Sequence, residues 1–162
     1  MAAPDGFLDL TGELDFSMLV VTAFDGRERA GCLVGFSTQC SIDPPRYLVC
    51  ISTANHTARV AAGSEMLAVH ALDAGHTGLA RLFGEETGDE VDKFARAAWR
   101  PGPGGVPVLE VCTSWFVGRT LERIPVGDHT AVVLEPVDVA HAPGLRPLRF
   151  ADVKDLAPGH PA

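Results

Sequence analysis

Lysine is almost missing from this chain: of 162 residues two are lysine and eleven arginine, and these thirteen basic residues face twenty-one acidic ones for a net charge of -8. A surface of that sign repels phosphate backbones and anionic lipid, which argues against nucleic acid and membrane as partners. The longest apolar runs, residues 18–23 and 47–51, stop far short of the ~20 residues that a spanning helix needs. The four cysteines, Cys32, Cys40, Cys50 and Cys112, form no C-x-x-C. No histidine pair matches them, and His141 and His160 have no metal-ligand spacing, so buried reduced thiols are expected and a metal site is not. G-x-S-x-G, H-E-x-x-H, a Walker loop and G-x-G-x-x-G are all absent, which removes the main support for hydrolase and nucleotide-kinase readings.

What is present is a chain 46% hydrophobic and 21% charged, the profile of one soluble domain that closes its own core. The expected domain is residues 1–162, with an N-terminal extension over 1–14 and an irregular, proline-broken tail over 157–162. Residues 1–15 carry four acids and no base, unlike a secretory signal, so a cytoplasmic protein is expected.

Strand patterns run over residues 18–23, turn at Asp25-Gly26, and return over 32–36. Asp43-Pro44-Pro45 must be a loop, since proline cannot donate to a ladder. Residues 47–51 and 66–72 read as apolar strands around a short helix over 56–62, with Asn55 as N-cap. His70, within an apolar strand, reads as a satisfied core or interface histidine. Leu79, Leu82 and Phe83 repeat at helical spacing, and so do Val91, Phe94, Ala95 and Ala98, the second set behind a capping box at residues 87–90.

Residues 101–107 hold three prolines and three glycines and are expected to connect without helix or ladder. Two long strands follow, 111–124 with Trp115, Val117 and Leu121 on one face, and 129–139 with Val133, Val137 and Val139, paired around a turn at 125–128. Strands cluster at both ends of a helical insert rather than alternating with helices, which points to an all-β barrel and away from a doubly wound sheet.

Two segments carry chemistry. Residues 52–57, Ser-Thr-Ala-Asn-His-Thr, join a strand to a helix start, where free N–H groups favour a phosphate. His56 and Arg59 could add positive charge there, although a plain capped helix accounts for the same residues. Gly127-Asp128-His129-Thr130 puts an imidazole at the start of a strand, facing a cleft or simply completing a turn.

G-C-L-V-G-F-S-T-Q-C-S-I-D-P-P-R-Y-L-V-C-I-S, then N-H-T, D-K-F and G-D-H-T, follow one another in that order over residues 15–150. This series resembles the flavin reductase family of FMN-binding split barrels. The resemblance implies an all-β, Greek-key split barrel with peripheral helices, assembled as a homodimer. It implies that Gly35, Phe36, Ser37, Thr38, Gln39, Cys40 and Ser41 line the isoalloxazine, and that Ser52, Asn55 and Thr57, with His56 and Arg59 nearby, hold the phosphate. Lys93 and Phe94 would lie close to the cofactor, and His129 would border the nicotinamide.

The implied activity is reduction of FMN, with FAD as a further possible flavin, by NADH or NADPH, and reduced flavin would pass to a transient monooxygenase partner. Where the family carries T-A-S-S-F this chain has Leu33 to Ser37, so ring contacts would lean on backbone N–H groups. His56 replaces the family's arginine, and FMN is expected to bind better than FAD. The alternatives are a flavin-binding electron carrier without NAD(P)H turnover and a split barrel for haem or a deazaflavin.

Overall fold

The computed structural model describes residues 1–86 and 91–156; the capping box at 87–90 and the tail at 157–162 lie outside the described residues. The elements in chain order are α1 (Phe7–Glu13), β1 (Leu19–Phe24), β2 (Arg29–Val34), β3 (Ser37–Ser41), β4 (Arg46–Ser52), α2 (His56–Ala62), β5 (Met66–Ala71) and α3 (Thr77–Glu85). Then come β6 (Trp99–Pro101), β7 (Pro107–Leu109), β8 (Trp115–Pro125), β9 (His129–Ala140) and α4 (Phe150–Val153). Seven strands form one antiparallel sheet in the order β2-β1-β5-β8-β9-β4-β3, and β6-β7 is a separate hairpin.

The sheet curls because it has apolar residues for two faces. β1 is buried along nearly its whole length, a continuous apolar run rather than the alternation of a one-sided strand. Leu19, Val21 and Ala23 join Val34, Val49, Ile51, Val132 and Leu134 in one core. That core takes residues from β2 at one end of the strand order and from β4 near the other, so the sheet wraps around it. No β2–β3 ladder closes the wrap among the described residues. Val20, on the opposite face of β1, packs with Leu72, Phe83, Leu109 and Leu148 beneath α3 and α4.

His70 belongs to the core as the sequence suggested. Its Nδ1 donates to the Val20 carbonyl and its Nε2 accepts from the Leu109 N–H, both at 3.0 Å, and burial pushes the imidazole down to about 4. A neutral ring bonded at both nitrogens is the affordable buried form of histidine.

Elsewhere the structure departs from the sequence expectations. Residues 91–98 form no helix beyond one 3-10 turn at Lys93–Ala95. Tertiary contacts override the periodicity: Lys93 Nζ donates to the carbonyls of Gly31 and Phe83 at 2.9 and 3.1 Å, and Trp99 is drawn into β6 under the Arg29 guanidinium, 4.5 Å from its ring centroid. The stretch 101–107 is a hairpin turn, not a plain connection, with Pro101 paired to Pro107 at the end of its ladder. Gly104 and Gly105 make it possible, at φ of 70° and 79°, a region costly for other residues.

In β8 and β9, shifts between Val117 and Gly118 and between Thr120 and Glu122 change the phase of the alternation. Val117 is therefore buried while Leu121, Val137 and Val139 are exposed, and Val132 and Leu134 supply the inward face of β9. Of the four free thiols, Cys32 and Cys112 are buried as expected, Cys50 is partly covered, and Cys40 is exposed on the edge strand β3. No helix among the described residues is long and apolar enough to cross a membrane.

Candidate functional site

The register of β4 against β9 sets Ser52 opposite His129, so the two chemistry-bearing segments of the sequence end side by side. Thr53 ties them together, donating from its N–H at 2.9 Å and from Oγ1 at 3.0 Å to the Asp128 carbonyl. Beside this junction lies a cleft of about 200 Å³, lined among others by Phe16, Gly35, Phe36, Cys50, Ser52, Asn55, His129 and Phe150.

Its walls are aromatic. Phe36 and His129 have ring centroids 5.1 Å apart, Phe16 and Phe36 5.8 Å, and Phe16 stacks on Phe150 at 4.8 Å. The chain's two ends build that wall, because the Phe150 N–H donates to the Phe16 carbonyl at 2.8 Å and Asp15 Oδ1 accepts from both Phe16 N–H and Ala151 N–H. Gly35 is required here, since a Cβ would fall 2.4 Å from the Phe16 ring.

The polar groups are few. Ser52 Oγ is buried with no hydrogen-bond partner, an expensive arrangement unless a ligand supplies one. The Asn55 side chain accepts from the Thr57 N–H at 3.2 Å, capping α2 as expected. His129 Nδ1 lies 2.7 Å from Asp128 Oδ1. An ionised carboxylate only accepts, so Nδ1 carries the proton and Nε2 is left for a ligand. That bond holds the Asp128 carboxyl below its ordinary range. Burial raises the Cys50 thiol and pushes Cys32 up to about 11, so neither thiol lining the cleft is a thiolate at neutral pH.

The expected site residues divide. Gly35, Phe36, Ser52, Asn55 and His129 line the cleft. Ser37, Thr38, Gln39, Cys40 and Ser41 run along the sheet edge instead, where Ser37 Oγ meets the Tyr47 hydroxyl at 3.0 Å. Thr57 is buried behind the turn with its side chain on Cys32. His56 bridges Glu28 Oε1, 2.6 Å from Nε2, and Arg59, 2.7 Å from Nδ1.

Lys93 and Phe94 border a separate and larger depression of about 500 Å³ with Glu28, Arg29 and Trp99. Two of the three cations on it are already engaged, Lys93 by two carbonyls and Arg29 by the Phe24 and Trp99 rings, while Arg27 stands at its exposed rim. Sequence reasoning missed Phe16, Phe150 and Cys50. The two phenylalanines carry no local signal, as only the fold brings residue 16 against residue 150.

The arrangement suits a flat aromatic ligand bearing an anion: rings to pack on, an unmet hydroxyl at one end and an imidazole over the rim. No metal-ligating cluster occurs among the described residues. The model for the flavin reductase like domain matches residues 12–155. The chain belongs to that family. The FMN reductase (NADH) RutF of Bradyrhizobium diazoefficiens is 32% identical over 127 residues, which cover 78% of this chain and 70% of that protein.

Among solved structures, an FMN-binding protein from Thermus thermophilus with bound p-hydroxybenzaldehyde is 28% identical, with a TM-score of 0.79 over 91% of this chain and 83% of that one. The NADH:FAD oxidoreductase SgcE6 of Streptomyces globisporus shares the fold, with a TM-score of 0.81 at 23% identity, covering 93% of this chain and 91% of that one. The family's flavin fits the cleft described above, whose orphaned Ser52 hydroxyl and aromatic walls match a phosphate and a ring.

Proposed function

We propose that this chain is an NAD(P)H-dependent FMN reductase that holds FMN in the Ser52–His129 cleft. The observation that carries this reading is the buried, unpartnered Ser52 hydroxyl placed in register with His129 under an aromatic wall. FMN, when bound, supplies a ring that accepts two electrons with a proton. Phe16 and Phe36 would pack on the ring and exclude water, Ser52 would donate to a phosphate oxygen, and the Asn55-capped turn would keep that hydroxyl in place. His129 Nε2 would orient the donor's carboxamide, its ring steadied through Nδ1 by Asp128. The name of the RutF relative favours NADH over NADPH.

Within this reading the wrapped sheet is a Greek-key split barrel and the working form is a cytoplasmic homodimer. Exposed Phe36, Leu121, Ile124, Val126, Val137 and Val139 support the dimer, being apolar area of the kind that interfaces cover. A transient monooxygenase partner would take the reduced flavin. NADH oxidation on addition of FMN, followed by absorbance, tests the activity. A purified protein that binds FMN but never oxidises NADH or NADPH would favour the carrier reading.

A further inference from the structure

One side chain holds both halves of the aromatic wall. Asp15 follows Leu14, the C-cap of α1, and turns the chain through left-handed backbone at a φ of 51°, positive in no other non-glycine residue among those described. Glycine makes that turn with least strain, and aspartate tolerates it with more. What the aspartate adds is a carboxylate. Its Oδ1 accepts from the Phe16 N–H at 3.0 Å and from the Ala151 N–H at 3.1 Å, the second across 136 positions of sequence.

Ala151 is the second residue of α4, so its N–H is one of the amides that a helix start leaves without a partner inside the helix. Arg149, at the cap position, has a guanidinium that only donates and cannot meet it. Asp15 therefore does for α4, from the other end of the chain, what a capping side chain does within a helix. Phe150, the first residue of α4, is thereby set against Phe16, stacked at 4.8 Å with its N–H on the Phe16 carbonyl at 2.8 Å. From Phe16 the ring contacts run on to Phe36 at 5.8 Å, and from Phe36 to His129 at 5.1 Å. The phosphate end is set separately, by the β4–β9 register and the Asn55 cap. Resting on the reductase reading, we propose that Asp15 is the positioning residue of the ring-binding wall. Its carboxylate fixes Phe16 and Phe150 where the isoalloxazine packs, and it has no part in holding the phosphate.

Asp15→Gly, Asp15→Ala and Asp15→Asn separate the turn from the carboxylate. Glycine suits the backbone and removes the acceptor, whereas asparagine keeps an acceptor oxygen and tolerates the turn. Fluorescence-quenching titrations should show FMN and riboflavin weakened together by glycine and alanine, roughly three- to tenfold, the order of one lost hydrogen bond, with asparagine close to wild type. Should alanine fail to fold at the positive φ, the glycine and asparagine variants decide alone. At saturating FMN the visible circular dichroism of the bound flavin should be altered in Asp15→Gly and restored in Asp15→Asn, a readout that stability alone does not move. Hydrogen exchange on the flavin-free proteins should find the Ala151 amide protected in wild type and Asp15→Asn but not in Asp15→Gly. An Asp15→Gly protein that binds both flavins as wild type does would overturn the proposal, reducing Asp15 to a turn residue. A loss confined to FMN would overturn it by moving Asp15 to the phosphate end. Lowered affinity with wild-type dichroism at saturation would overturn it as well, leaving Asp15 a purely structural residue. Wild-type protein that protects the Ala151 amide yet takes up neither flavin would contradict the reductase reading, and the positioning role with it, an outcome separate from the others.

Discussion

Replacing Ser52 by alanine should move stability and affinity in opposite directions. In the free protein Ser52 Oγ is buried without a partner, and such a group costs about 1–3 kcal/mol of unrecovered desolvation. Its removal leaves only a small void, so unfolding in urea should show the free variant unchanged or more stable by up to about 1 kcal/mol. FMN affinity should fall by about 1.5–3 kcal/mol, the worth of a hydrogen bond to a charged group, or roughly ten- to hundredfold in Kd. Riboflavin lacks the phosphate and should bind both proteins alike. Fluorescence-quenching titrations with the two flavins give the comparison. A variant that is clearly destabilised yet binds FMN normally would refute the assignment and make Ser52 a structural residue.

Gly35→Ala should weaken FMN and riboflavin together, since its Cβ, 2.4 Å from the Phe16 ring, displaces a wall that serves the ring and not the phosphate; overpacking of this kind costs about 1–3 kcal/mol, and parallel titrations would show it. His129→Ala should slow flavin reduction roughly three- to tenfold, the worth of a hydrogen bond of about 0.5–1.5 kcal/mol, with FMN affinity intact. Asp128→Asn should act in the same direction by loosening the 2.7 Å contact to Nδ1, and stopped-flow traces of both variants would separate rate from binding. Folding free energy should decline as pH falls from about 6.5 towards 4, because His70, held at about 4 when folded, takes up its proton earlier in the unfolded chain. The full loss from this group is roughly 3 kcal/mol, and urea titrations across that window should show a shallower decline in His70→Gln than in wild type.

The β1–β2 hairpin, β4, α2 with its Asn55 cap, and the last two strands were legible because each rests on a local signal: a turn dipeptide, a proline stop, a capping side chain or a long apolar run. His70 was legible for a similar reason, as an imidazole in an apolar strand has few states open to it. The 91–98 helix failed where Lys93 and Trp99 are committed to Gly31 and Arg29, partners distant in sequence. Phase errors in β8 and β9 trace to bulges, which shift every later side chain by one face and leave no mark in composition. At the site, Ser52 and His129 were found through the chemistry of their turns. Their adjacency was not, because strand register decides it. Phe16 and Phe150 became site residues only through the meeting of the two chain ends.

Anaerobic mixing of NADH with the FMN-loaded protein, followed through the flavin's visible absorption, tests the central claim most directly. The account predicts that the absorption bleaches in a single NADH-dependent phase that saturates with donor and slows in His129→Ala. A protein that retains FMN in the Ser52–His129 cleft, yet whose spectrum is unchanged by NADH or NADPH, would contradict it.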